Sequence, residues 1–160
     1  IGLHEANEMV LGVVYEIGRD ECFYAWKGGG AFLNGRAIHV SERDNIQDAL
    51  LATGFPYSEF SRLNEYMEFL KWAVTNSRGV RRLGSAATDL AYVACGRFEA
   101  FWEYNLKAWD VAAGSIIVKE AGGTVTDFSG KNNFLFGKEM VATNQKLKQL
   151  FLDKLKEMMF

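Results

Sequence analysis

The residue pattern predicts an α/β protein in two parts, and three observations predict it. Residues 1–44 hold short β-branched and aromatic runs separated by Gly and Asn turns, the pattern of an antiparallel meander. From residue 45 onward apolar strands alternate with helically spaced apolar residues, which implies a mixed sheet flanked by helices, so residues 45–160 read as a carboxyl-terminal α/β lobe. Pro56 is the sole proline, so Gly and Asn do most of the punctuation, as turns between short elements require.

Taken in order, Ile1 already lies inside what reads as a strand. Met9–Tyr15 and Cys22–Trp26 form a hairpin, with polar residues at Asn7–Glu8 and Gly18–Glu21 marking its ends. Gly28-Gly-Gly-Ala31 turns into a short strand, and Leu33-Asn-Gly-Arg36 turns again; Asn-Gly suits a type I′ turn because both residues tolerate positive φ. Ala-Leu-Leu-Ala-Thr, within Asp48–Gly54, reads as a buried strand. Leu63, Tyr66, Met67, Leu70, Ala73 and Val74 are spaced for a helix, with Ser61 as its expected N-cap. Val80–Leu83, Phe98–Glu103, Gly123–Phe128 and Met140–Thr143 read as strands. Ser85–Cys95 and Trp109–Ala121 read as helices, and Leu147, Leu150, Phe151, Leu155, Met158 and Met159 form the apolar stripe of a last helix.

Composition excludes several functions. A hydrophobic content of 49% with 24% charged residues is that of an ordinary globular protein able to bury a core. Net charge is −2 and the basic residues are scattered, so no nucleic-acid or anionic-membrane partner is expected. No apolar run approaches the ~18 residues a membrane span needs. Cys22 and Cys95 form no CxxC pair and read as reduced thiols of a cytoplasmic protein. Gly28–Gly30 lacks the lysine and following helix of a phosphate loop, and His4 and His39 have no metal-ligand spacing.

In sheets of this kind, ligands sit beyond strand ends where helix N-termini point. Three junctions qualify. In Arg82-Leu-Gly-Ser-Ala-Ala-Thr-Asp89, Gly84 turns the chain, Ser85 can cap the helix, and Ala86 and Ala87 leave its first amides uncovered. In Trp109-Asp-Val-Ala-Ala-Gly-Ser115, Asp110 stands at a helix start, where it serves equally as a cap or as a hard-cation ligand. Glu103 ends an aromatic strand; a solvated strand end and an acceptor for ligand hydroxyls are both open.

Read together, these segments resemble the inositol monophosphatase family. Trp109-Asp-Val-Ala-Ala-Gly-Ser-Ile-Ile-Val-Lys-Glu-Ala-Gly-Gly-Thr124 is similar to its carboxyl-terminal signature, Gly84–Arg97 to the segment upstream, and Gly28–Gly35 to a turn-strand-turn of its first sheet. The resemblance spans the whole chain. It implies part of a layered αβαβα sugar-phosphatase fold, with residues 1–44 an incomplete first sheet. It also implies Mg²⁺-dependent hydrolysis of inositol monophosphate or a similar polyol phosphate. Asp110 would be metal ligand and catalytic residue, and Gly84, Ser85, Ala86 and Glu103 would hold substrate hydroxyls. Related family members act on 3′-phosphonucleotides, fructose 1,6-bisphosphate or histidinol phosphate, and a non-catalytic binding module of the same fold is a further alternative. Full-length members are usually homodimers. The family's Glu-Glu pair and Asp-Pro-Ile-Asp-Gly-Thr motif, which supply most metal ligands, do not occur in these residues, so the expectation is that they alone turn over little or no substrate.

Overall fold

A computed structural model describes residues 1–160 as four stacked layers, sheet, helices, sheet, helices. The first sheet is antiparallel and runs in chain order: β1 (Gly2–Glu5), β2 (Glu8–Glu16), β3 (Glu21–Trp26), β4 (Gly30–Leu33) and β5 (Arg36–Ile38). Val14, Phe23, Ala25 and Ala31 point inward and are buried, as the period of two in a strand demands. Asn34 and Gly35 both take positive φ, 48° and 82°, as a two-residue type I′ turn requires. The outer face carries Tyr24, Trp26 and Phe32 as a stacked ladder with ring centroids 5.3 to 6.4 Å apart.

The second sheet is mixed, in the order β7-β6-β8-β10-β9. In it β6 (Leu50–Thr53) is parallel to β7 (Gly79–Arg81) and β8 (Ala100–Tyr104), while β10 (Glu139–Thr143) is antiparallel to β8 and β9 (Thr124–Thr126). Helices α2 (Ala86–Ala94) and α3 (Ala108–Glu120) fill the space between the sheets, and α1 (Leu63–Asn76) and α4 (Lys148–Met159) cover the far side. Strand β8 serves both cores: Phe101 packs with Leu90, Val111 and Ile117 toward the first sheet, and Trp102 packs with Phe69 and Phe151 on the other face. That alternation explains why β8 reads as continuously apolar and aromatic in the sequence.

Two sequence expectations are corrected. Helix α1 begins at Leu63 with Arg62 in the capping position and no side-chain cap; Ser61 lies outside it, its N–H held by the Glu59 carboxylate at 2.7 Å. The strand expected over Gly123–Phe128 stops at Thr126. Asp127 ends it by accepting N–H bonds from Ser129, Lys131 and Asn133, which folds the chain into a turn. The Gly28–Gly30 turn is pinned by a carboxylate from α3, as Glu120 accepts the Gly28 and Gly30 N–H groups at 2.9 and 3.0 Å.

Helix α3 lies unusually close to the first sheet. A Cβ on Gly12 of β2 would fall 2.5 Å from the Ala113 carbonyl oxygen and 2.6 Å from the Ile116 side chain. Gly12→Val should therefore force the layers apart and destabilise the protein by about 1–3 kcal/mol in urea unfolding, whereas Val74→Ala on the exposed face of α1 should stay within about 0.5 kcal/mol.

Candidate active site

Strands β6 and β8 run parallel, so their carboxyl ends open at the same edge of the sheet. Tyr66 of α1 ties these ends together. Its hydroxyl lies 2.7 Å from Thr53 Oγ1, 2.9 Å from the Gly54 carbonyl and 3.1 Å from the Trp102 carbonyl, all buried. Gly54 follows β6 and faces Glu103 on β8. A Cβ there would sit 2.0 Å from Glu103 Oε2, so a side chain at this position would have to displace the Glu103 carboxylate.

Beyond those ends is a cavity of about 260 Å³, and it gathers every residue singled out from the sequence: Gly84, Ser85, Ala86, Glu103 and Asp110. Arg82, Asp89 and Trp109 also line it. Gly84 has φ +98°, which lets the chain enter α2 abruptly. Ser85 then caps that helix, its Oγ accepting the Thr88 N–H at 3.4 Å. The N–H groups of Ala86 and Ala87 belong to the first turn and have no intrahelical acceptor. Asp110 stands three residues past the cap of α3 and accepts the Lys107 N–H through Oδ2 at 2.8 Å. It is a cap in fact, and half of its carboxylate remains for other work. Trp109 beside it is 79% exposed, a large ring at the cavity mouth.

Glu103 is not a solvated strand end. It is 6% exposed, and burial raises its carboxyl to about 8, with Arg82 opposing and Asp89 and Asp110 adding to the rise. Asp89, on the first turn of α2, is 1% exposed, and burial raises it to about 7 against the pull of Arg82. The Arg82 guanidinium bonds the Tyr57 hydroxyl at 2.8 Å and sits 5.7 Å from the centre of the Phe55 ring. Sequence reading assigned no role to Gly54, Arg82 or Asp89. The signal for Asp89 was a lone acid inside an otherwise apolar helix rich in alanine. Nothing local marks Gly54, because its constraint comes from a residue 49 positions away.

Asp110 offers the hard oxygen donor that Mg²⁺ prefers. The donor type fits, but the number falls short, since no three His, Cys, Asp or Glu side chains of the chain are grouped to enclose an ion.

The inositol monophosphatase family profile matches residues 1–159. The chain belongs to the inositol monophosphatase family. A Pseudomonas aeruginosa relative named Nus factor SuhB is 47% identical over 136 residues, covering 84% of this chain and 50% of that protein. An inositol-1-monophosphatase from Mesorhizobium japonicum is 39% identical over 98% of this chain and 59% of its own length. The crystal structure of the extragenic suppressor protein suhB from Bartonella henselae superposes with a TM-score of 0.89 at 42% identity, covering 94% of this chain and 58% of that one. The chain thus spans between half and three-fifths of these relatives, and its four layers are those of the family fold.

Both buried acids have folded-state values above their unfolded ones, so each favours the protonated fold. The stability they leave intact at low pH is lost as pH rises from about 4 through about 7 for Asp89 and about 8 for Glu103. In EDTA, the melting temperature should fall across that window, and Glu103→Gln should flatten the fall. A profile unchanged by Glu103→Gln would contradict this assignment.

Proposed function

We propose that the protein is a Mg²⁺-dependent phosphomonoesterase acting on inositol monophosphate or a similar polyol phosphate. The observation that carries this reading is the single cavity that brings Asp110 and Glu103 to the open mouth of α2. Three carboxyls face one guanidinium there, a balance that suits a divalent cation together with a polyhydroxylated ligand. The inositol-1-monophosphatase name of the Mesorhizobium relative supports the same substrate class.

In this reading Asp110 would hold the ion, since the Lys107 N–H engages only one of its two carboxylate oxygens. When bound there, Mg²⁺ would supply charge neutralisation for the phosphoryl oxygens and a more acidic water. The α2 amides at Ala86 and Ala87 donate to ligand oxygens, with the helix dipole aligned to favour negative charge. Glu103 accepts from a substrate hydroxyl at the cavity floor and fixes the ester's orientation, which is how a site with little covalent chemistry gains rate. Trp109 shields the mouth from bulk water. The thiols of Cys22 and Cys95 are free, which suits a reducing cytoplasm, and a homodimer is the expected assembly.

Related esters, the 3′-phosphonucleotides, fructose 1,6-bisphosphate and histidinol phosphate, offer the same phosphate with different hydroxyl patterns, and a substrate panel at fixed Mg²⁺ ranks them. The Nus factor name of the Pseudomonas relative favours a second reading, a binding role beside or in place of catalysis.

Phosphate release from inositol 1-phosphate by the metal-loaded holoenzyme should stop in EDTA, return with Mg²⁺, and fall by about 100-fold or more in Asp110→Asn. The isolated 160-residue chain should release phosphate at background rate. Metal-independent turnover, or full activity in Asp110→Asn, would overturn the metal role given to Asp110, and absence of turnover on the whole panel would overturn the phosphatase reading and favour the binding role.

A further inference from the structure

Asp89 is the one cavity acid whose two carboxyl oxygens are both fully buried and unpartnered. Neither Oδ1 nor Oδ2 has a hydrogen-bond partner, and the residue is 1% exposed. Its neighbours do not reach it: Ser85 Oγ accepts the Thr88 N–H and hydroxyl, the Arg82 guanidinium donates to the Tyr57 hydroxyl, and neither bonds Asp89. A buried carboxyl left unbonded costs stability and is kept only where something compensates for it. Its place on the first turn of α2 offers part of that compensation, because an acid there is aligned with the helix dipole. The dipole provides no donor within bonding distance, so the hydrogen-bonding need remains. Asp89 lines the cavity together with Glu103, and the two come from different elements, α2 and β8.

We propose that Asp89 is a specificity-determining residue that accepts a hydroxyl of the bound polyol, so that Asp89 and Glu103 together select phosphate esters carrying at least two hydroxyls. The proposal rests on the phosphatase reading for its substrate class but assigns a contact on the hydroxyl side of the ligand, away from the metal chemistry. An ester with one hydroxyl leaves one of the two acids unbonded, one with none leaves both, and each is disfavoured for that reason. The missing donor is thus the ligand's own, and the cost of the empty site is recovered on binding.

The test is a titration of the chain with myo-inositol in MgCl₂, reading the amide resonances of Gly84, Ser85 and Ala86, in the native protein and in Asp89→Asn and Asp89→Ala. Saturable shifts in the native chain, an affinity about tenfold or more lower in Asp89→Ala, and melting temperatures of both variants equal to or above the native value are expected. The last readout separates recognition from scaffolding, because a structural carboxyl lowers the melting temperature when it is removed. Equal affinities in native and Asp89→Ala chains, no response of the native chain, or a loss of affinity that tracks a lower melting temperature in both variants would each overturn the proposal. Mg²⁺-dependent turnover of p-nitrophenyl phosphate by the native holoenzyme is measured alongside. If it occurs while inositol fails to bind, the Asp89 inference falls and the phosphatase reading stands; if neither occurs, both fall.

Discussion

Helix α3 is held between the first sheet and α2 with no room for a side chain at Gly12, where an added Cβ would meet the Ala113 carbonyl oxygen at 2.5 Å. The rest of the molecule depends on that close approach. With α3 seated so tightly, its N-terminal turn is fixed relative to α2 and β8, and Asp110, Ser85 and Glu103 reach one cavity. Glu120 locks the opposite end of α3 to the Gly28–Gly30 turn, so the helix is registered along its axis as well as across it. The proposed metal-assisted activity would depend on such rigidity, because positioning of charged oxygens carries much of the rate in such sites.

The chemistry is placed where the sheet can support it. Tyr66 joins the ends of β6 and β8 through three buried oxygen contacts, and Gly54 clears the space that Glu103 fills. These are local violations of stable design, a carboxylate packed against a backbone and another with no donor, in a molecule whose cores are otherwise aromatic and close-packed. Such violations cluster where a protein binds something.

Much of this was legible in the residues. The β-branched, apolar run Met9–Tyr15, the Asn34-Gly35 turn and the small residues of α2 and α3 each reported a local preference that the fold keeps, and the open helix mouths followed from Gly84–Ala87 and Trp109–Asp110. What could not be read was long-range. For Glu103 a solvated strand end stayed open beside a ligand contact, because its sequence neighbours do not reveal that β6 and α2 close over it. Ser61 looked like a cap because cap preference is a local average, and Glu59 captured its N–H instead. The Asp127 turn was missed because four of its bonds reach forward two to six residues, past the strand pattern that ends there. For Asp110, bare spacing could not separate cap from ligand, and the structure makes it a cap with one oxygen to spare.

The central claim is that Asp110 anchors a divalent cation at the mouth shared by α2 and β8. Paramagnetic broadening by Mn²⁺, a stand-in for Mg²⁺ that reports even weak binding, tests it most directly on this chain. Amide signals of Trp109, Asp110 and Val111 should broaden first, followed by those of Gly84–Ala86 and Glu103, and Asp110→Asn should abolish the effect. Broadening centred instead on the surface hollow near Asp44 and Asp48, or persisting unchanged in Asp110→Asn, would contradict the account.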